Sequence, residues 1–179
     1  AVFYPPNVLY LFLSQIIAWS VLSFIQPLVA MIFTYLYLRL LDLRKIAAFF
    51  GAFAFGFSGF MIVWGQENAV VGHAALWLPL ALFGIEGFLK TKKGWYFLTS
   101  ISALAFSFLA GFFQITFYIF IFVFLYSVLR IYHIRKKERI KNMLWIIGIF
   151  VLSLGLSAIQ IFPSIEGFLE SPRTTSSID

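Results

Sequence analysis

The sequence predicts an all-α fold, a polytopic bundle of transmembrane helices with about six spans in residues 1–179. Three observations predict it. Hydrophobic residues make up 62% of the chain and charged residues 11%, against about 45–50% and about 25% in soluble domains. The apolar residues fall into stretches of the length that crosses a hydrocarbon core roughly 30 Å thick. The basic residues fall almost wholly into alternate connections between those stretches. A chain with 24 phenylalanines in 179 residues cannot hide its apolar surface inside a soluble globule, so lipid is its natural solvent.

The spans read as 16–38, 46–64, 74–90, 95–112, 115–132 and 144–162, all part of one transmembrane domain. They are expected to be helices, because isolated strands leave backbone groups unpaired in lipid. The third and fourth are short. Pro27 lies inside the first, where the lost donor predicts a kink. Ala48, Ala52 and Gly56 recur every four residues on the second, with Gly59 a turn beyond, and Gly148, Gly155 and Ala158 recur similarly on the sixth. Small residues so spaced are expected where helix backbones approach closely.

Charge sets the expected orientation. Arg39, Arg44 and Lys45 follow the first span; Lys90, Lys92 and Lys93 follow the third; Arg130, Arg135, Lys136, Lys137, Arg139 and Lys141 follow the fifth. These are 12 of the 13 basic residues. Cytoplasmic loops carry the lysine and arginine excess, so these loops are expected inside and both ends of the chain outside. Trp19, Trp64 and Trp77 then fall near outer span ends, and Trp95 and Trp145 near inner ends, as an aromatic belt requires. The net charge of +6 is thereby a topology signal, and no nucleic-acid partner is indicated. The absence of cysteine excludes disulfides and thiol chemistry within this sequence. The opening AVFYPPN lacks the basic and apolar segments of a signal peptide, and both ends are expected to be cut from a longer protein.

Polar residues sort by side. On the basic side, Glu86 stands four residues before Lys90, the spacing of a simple interfacial ion pair. On the other side, every expected turn offers polar side chains at membrane level: Tyr4 and Asn7; Gln66, Glu67, Asn68 and His73; Gln114; and Gln160, Glu166, Glu170 and Arg173. Each has two readings. His73 is an interfacial histidine bonded to a loop, or it meets a polar head group or a leaving phosphate. Glu67 is a solvated carboxylate, or a base or metal ligand. Gln114 caps helix-end backbone groups, or it lines a cavity. Arg173 pairs with Glu166 or Glu170, or with an anionic ligand. The two histidines, His73 and His133, lie on opposite sides, and no HExxH, phosphate-cradling glycine loop or serine–histidine–aspartate set is present.

The ordered series FYPPN, FGFSGFMIVW, GHAALWLPLALFGIE, AGFFQITFY and LSAIQIFPSIEGFLESPR resembles the YfhO family of bacterial membrane proteins, nearly end to end. That family is similar to the GT-C superfamily of polytopic glycosyltransferases. The resemblance implies a GT-C-like bundle in the bacterial cytoplasmic (plasma) membrane. It also implies an enzyme that moves a sugar from a polyprenyl-phosphate donor to a cell-envelope glycopolymer acceptor, such as lipoteichoic acid, at the outer face. In such enzymes the acid that activates the acceptor is usually an aspartate in the first outer loop, here expected upstream of Ala1, so no catalytic residue is assigned. Supporting roles carry over to matching positions: Tyr4, Pro5, Pro6 and Asn7 shape the loop beside the acid, His73 and Gln114 line the outer cavity, and Arg173 faces the donor phosphate. No cofactor is indicated, and a divalent metal stays an option. Membrane lipids are the other expected partners. The alternatives are a transporter or flippase of a lipid-linked envelope intermediate and a non-catalytic scaffold. The lack of charge at span centres favours surface chemistry over transport.

Overall fold

A computed structural model describes residues 3–169. Every regular element among them is helical, as the composition requires. A 3-10 turn, Pro5–Leu11, leads into α1 (Gln15–Leu40), which runs without a break through Pro27. The second expected span is two helices, α2 (Lys45–Gly56) and α3 (Gly59–Glu67). They separate at Phe57–Ser58, where Ser58 Oγ accepts the Met61 N–H at 3.3 Å and caps α3. The third also divides, into α4 (Ala69–Ala75) and α5 (Leu78–Thr91). Pro79 lies in the first turn of α5, where its missing N–H would have had no helical partner. α6 (Gly94–Leu109), α7 (Phe113–Tyr132) and α8 (Lys136–Leu169) complete the bundle.

Five units are long and apolar enough to cross a membrane: α1, α2 with α3, α4 with α5, α7 and α8. α6 is apolar but shorter, at 16 residues. The unit Ala69–Thr91 is the central one, with 67% of its apolar stretch buried against 22–28% for the other four. It packs on α1 to one side and α6 to the other, α2 lies outside α1, α8 lies outside α6, and α7 contacts α4, α5, α6 and α8. The core joins Ile85, Leu104, Val123, Ile146 and Ile149. Phe49, Phe50 and Phe53 of α2 point outward, the surface that hydrocarbon favours.

Small residues work as expected on α2 only. Ala48 and Ala52 are fully buried, and a Cβ on Gly56 would lie 2.6 Å from the Pro27 carbonyl oxygen. On α8 the expectation fails. A Cβ on Gly155 meets nothing within 4 Å, and one on Gly148 only the tip of Phe97 at 4.0 Å. The close face of α8 is instead made by Ser153 and Ser157, both fully buried, with Ser157 Oγ 3.5 Å from the Ala105 carbonyl across the interface.

The basic loops gather at one end. Lys90 Nζ donates to the Leu40 carbonyl at 2.6 Å and to Asp42 at 3.3 Å, tying the α1–α2 turn to the end of α5. The simple Glu86–Lys90 pair is corrected here. Glu86 lies 3.8 Å from Lys90, but its main partner is Arg130 of α7. Arg130 Nε donates to Glu86 Oε2 at 2.7 Å, a second guanidinium nitrogen grips Oε1, and the Tyr126 hydroxyl donates to Oε2 at 2.8 Å. The Glu86 side chain is fully buried. It is a structural clamp between α5 and α7.

Candidate functional site

At the end of the bundle away from the basic loops, the 3-10 turn packs on α1, and Tyr4, the residue before it, reaches α4 and the α6–α7 turn. Tyr4 is the anchor, packed with Ala74, Leu109 and Ala110 and only 2% exposed. Its ring stacks on His73 with centroids 5.2 Å apart, and its hydroxyl accepts the Trp77 Nε1–H at 3.2 Å. Burial pushes the Tyr4 phenol pKa well up, only partly offset by the Trp77 hydrogen bond, so it stays a neutral hydroxyl. Trp77 packs in turn on Phe33 of α1 and Phe106 of α6. Trp77→Phe keeps that packing and deletes the N–H. The expected cost is about 0.5–1.5 kcal/mol, read as faster amide exchange across Pro5–Leu11; unchanged exchange there would count against the tether.

Tyr4, His73 and Trp77 wall a cavity of about 170 Å³ with Pro6, Leu22, Val29 and Gln26. That volume holds several waters or one small polar group. Gln26 is the unexpected member. It lies roughly 16 Å along α1 from Gln15, at 1.5 Å per residue, deep in a span. It is 2% exposed, yet neither its Nε2 nor its Oε1 has a partner among the described residues. Two glycines make its slot. A Cβ on Gly72 would lie 1.8 Å from Gln26 Nε2, and one on Gly65 2.9 Å from it. His73 is buried too, and its Nε2 also lacks a partner among the described residues. Buried polar atoms are almost always paired, because each orphan costs about 1–3 kcal/mol. Gln26 and His73, each with such an atom, line one cavity. On the other face of α1, Ser20, Ser23, Phe57 and Gln66 line a larger cavity of about 530 Å³.

A family model described as "Bacterial membrane protein YfhO" matches residues 3–179. The chain belongs to the YfhO family. It is a multi-pass membrane protein of the bacterial cell envelope. Comparison with curated proteins and with solved structures finds no match.

In this YfhO chain the residues singled out from sequence separate. Tyr4 and His73 come together. Asn7 lies in the 3-10 turn that follows Tyr4, its backbone N–H donating to the Tyr4 carbonyl at 2.9 Å. Glu67 is exposed at the end of α3 and does not line the cavity. Gln114 is exposed, and its Nε2 donates to the Tyr118 hydroxyl at 3.1 Å along α7. Arg173 lies outside the described residues. Among the described residues no three His, Cys, Asp or Glu side chains gather where they could hold a metal ion. Gln26 and Trp77 complete the site. Gln26 had a signal in sequence: an amide beside a proline within an apolar span, where polar residues are costly and usually functional.

Proposed function

We propose that this YfhO chain is part of a membrane glycosyltransferase that passes a sugar from a polyprenyl-phosphate donor to a cell-envelope acceptor of the teichoic-acid type. The carrying observation is that Gln26 and His73, which line one cavity, both carry buried polar atoms with no partner among the described residues. The lysine and arginine pattern argues that this end of the bundle faces outward, with the basic loops in the cytoplasm. A lipid-phosphate donor keeps its reacting carbon at membrane level, so its site must be built there. The Gln26 amide can donate to, and accept from, sugar hydroxyls; His73 and Tyr4 line the same cavity. The acid that activates the acceptor comes from outside these residues.

The test uses the full-length protein in nanodiscs, a polyprenyl-phosphate hexose, a glycopolymer acceptor and mass spectrometry of the product. Transfer is expected, falling at least about tenfold in His73→Ala, which equals about 1.4 kcal/mol of transition-state stabilisation. A folded protein that transfers none of several hexoses, or a His73→Ala variant at the wild-type rate, would reject the reading. A flippase is the second reading, favoured by Glu86, a carboxylate fully buried within a span. It predicts movement of the lipid-linked intermediate between leaflets without any change in its mass.

A further inference from the structure

At the basic end, between the α5–α6 turn and the first turns of α8, lies a cavity of about 510 Å³ that the proposed transfer reaction does not use. Its walls are of two kinds. Phe88, Phe97 and Trp145 form an apolar wall, with neighbouring ring centroids 5.4–5.8 Å apart. Lys92, Glu138, Lys141 and Asn142 form a polar rim. Trp145 is 44% exposed, so the apolar wall is open at the surface of the bundle.

Three features distinguish this cavity. Asn142 is 2% exposed and takes a hydrogen bond from Lys92 Nζ on its Oδ1. The lysine thereby fixes the amide's orientation, and the Nδ2 end has no partner among the described residues. Lys92 itself closes α5 at φ 58, the left-handed position where glycine is usual and a side chain is strained. A lysine kept at that position reaches the cavity, with Nζ 5.4 Å from the Phe88 ring centroid. Burial lowers the Lys92 pKa, with Glu138 opposing and Lys141 adding to the effect. An anion between the two lysines would relieve that penalty.

We propose that this cavity binds an anionic phospholipid of the adjoining leaflet, its phosphodiester between Lys92 and Lys141 and an acyl chain along Phe88, Phe97 and Trp145. The Asn142 Nδ2 donates to a headgroup oxygen. Glu138 on the rim disfavours a bare, multiply charged anion and accepts from a headgroup hydroxyl, so a glycerol headgroup fits best. Basic pockets between membrane helices bind acidic lipids in this way.

The full-length protein is compared in phosphatidylcholine nanodiscs with and without phosphatidylglycerol, and separately with inorganic phosphate. Thermal unfolding and native mass spectrometry are read together. Phosphatidylglycerol is expected to raise the unfolding temperature and to stay bound, whereas phosphatidylcholine and phosphate do neither. Lys141 is exposed, so Lys141→Ala folds normally and is expected to bind phosphatidylglycerol about fivefold more weakly, the worth of one surface cation near an acidic lipid. Lys92→Gly relaxes the left-handed cap and is expected to lose the phosphatidylglycerol-specific gain. Equal stabilisation by both lipids, equal stabilisation by phosphate alone, or wild-type phosphatidylglycerol binding in both variants would overturn the proposal.

Discussion

Arg130→Met is expected to destabilise the protein by about 1–3 kcal/mol, the usual effect of leaving a buried polar group unsatisfied, because Glu86 is fully buried while Arg130 itself is 40% exposed and partly screened by solvent. The Glu86 side chain is fully buried, and Arg130 grips both of its oxygens. Without the guanidinium, Glu86 retains Tyr126 at 2.8 Å and Lys90 at 3.8 Å, and Lys90 is already engaged with Leu40 and Asp42. A buried carboxylate so weakly compensated is far costlier than an exposed one. The double variant Glu86→Met, Arg130→Met is expected to recover most of the loss, since well-packed apolar side chains often replace a buried pair at little net cost. Thermal unfolding of the two single variants and the double closes the cycle. A loss below about 0.5 kcal/mol in Arg130→Met, or a double variant as unstable as the summed singles, would remove the clamp assignment. The cycle also bears on function. If the double variant folds and still transfers sugar, the charges hold α5 against α7 and do no transport.

That clamp also shows where sequence reasoning stops. Hydropathy and charge placement outline the bundle well, because lipid forces helices and the basic loops mark alternate turns. The breaks at Ser58 and at Trp77 were written in GFSGF and in Pro79, but an average over a span does not register them. Glu86 was legible only through its neighbour in sequence, Lys90. Its dominant partner stands 44 residues away on another helix, a distance that depends on how α5 and α7 rotate against each other. The small residues of α8 failed for the same reason: spacing identifies a face, and the face in contact proved to be the one with Ser153 and Ser157. At the candidate site, Tyr4 and His73 were legible as membrane-level polar residues. Gln26 and the glycines that seat it come from α1, α3 and α4 and meet only in the folded bundle.

Gln26 gives the second large effect, in which stability and activity are expected to move in opposite directions. Gly72→Ala sets a Cβ 1.8 Å from Gln26 Nε2 and 2.7 Å from its Cδ. The amide cannot retreat towards α3, where Gly65 already approaches it. It must leave its slot, with an overpacking cost of about 1–3 kcal/mol and a loss of transfer of about 100-fold, the usual result of displacing a positioning group by an ångström. Gln26→Leu acts differently. It removes two buried polar atoms that have no partner among the described residues, so it is expected to leave stability unchanged or raise it by about 1 kcal/mol while abolishing most transfer. Combining Gly72→Ala with Gln26→Ala relieves the clash and is expected to restore the unfolding temperature without restoring activity. A structural amide would give the reverse pattern: Gln26→Leu unfolding earlier, and the combined variant regaining transfer together with stability. Unfolding temperature and transfer rate measured on the same four proteins separate the two. The first pattern requires that the amide be held deep in an apolar span for its ligand, because its polar atoms have no partner among the described residues.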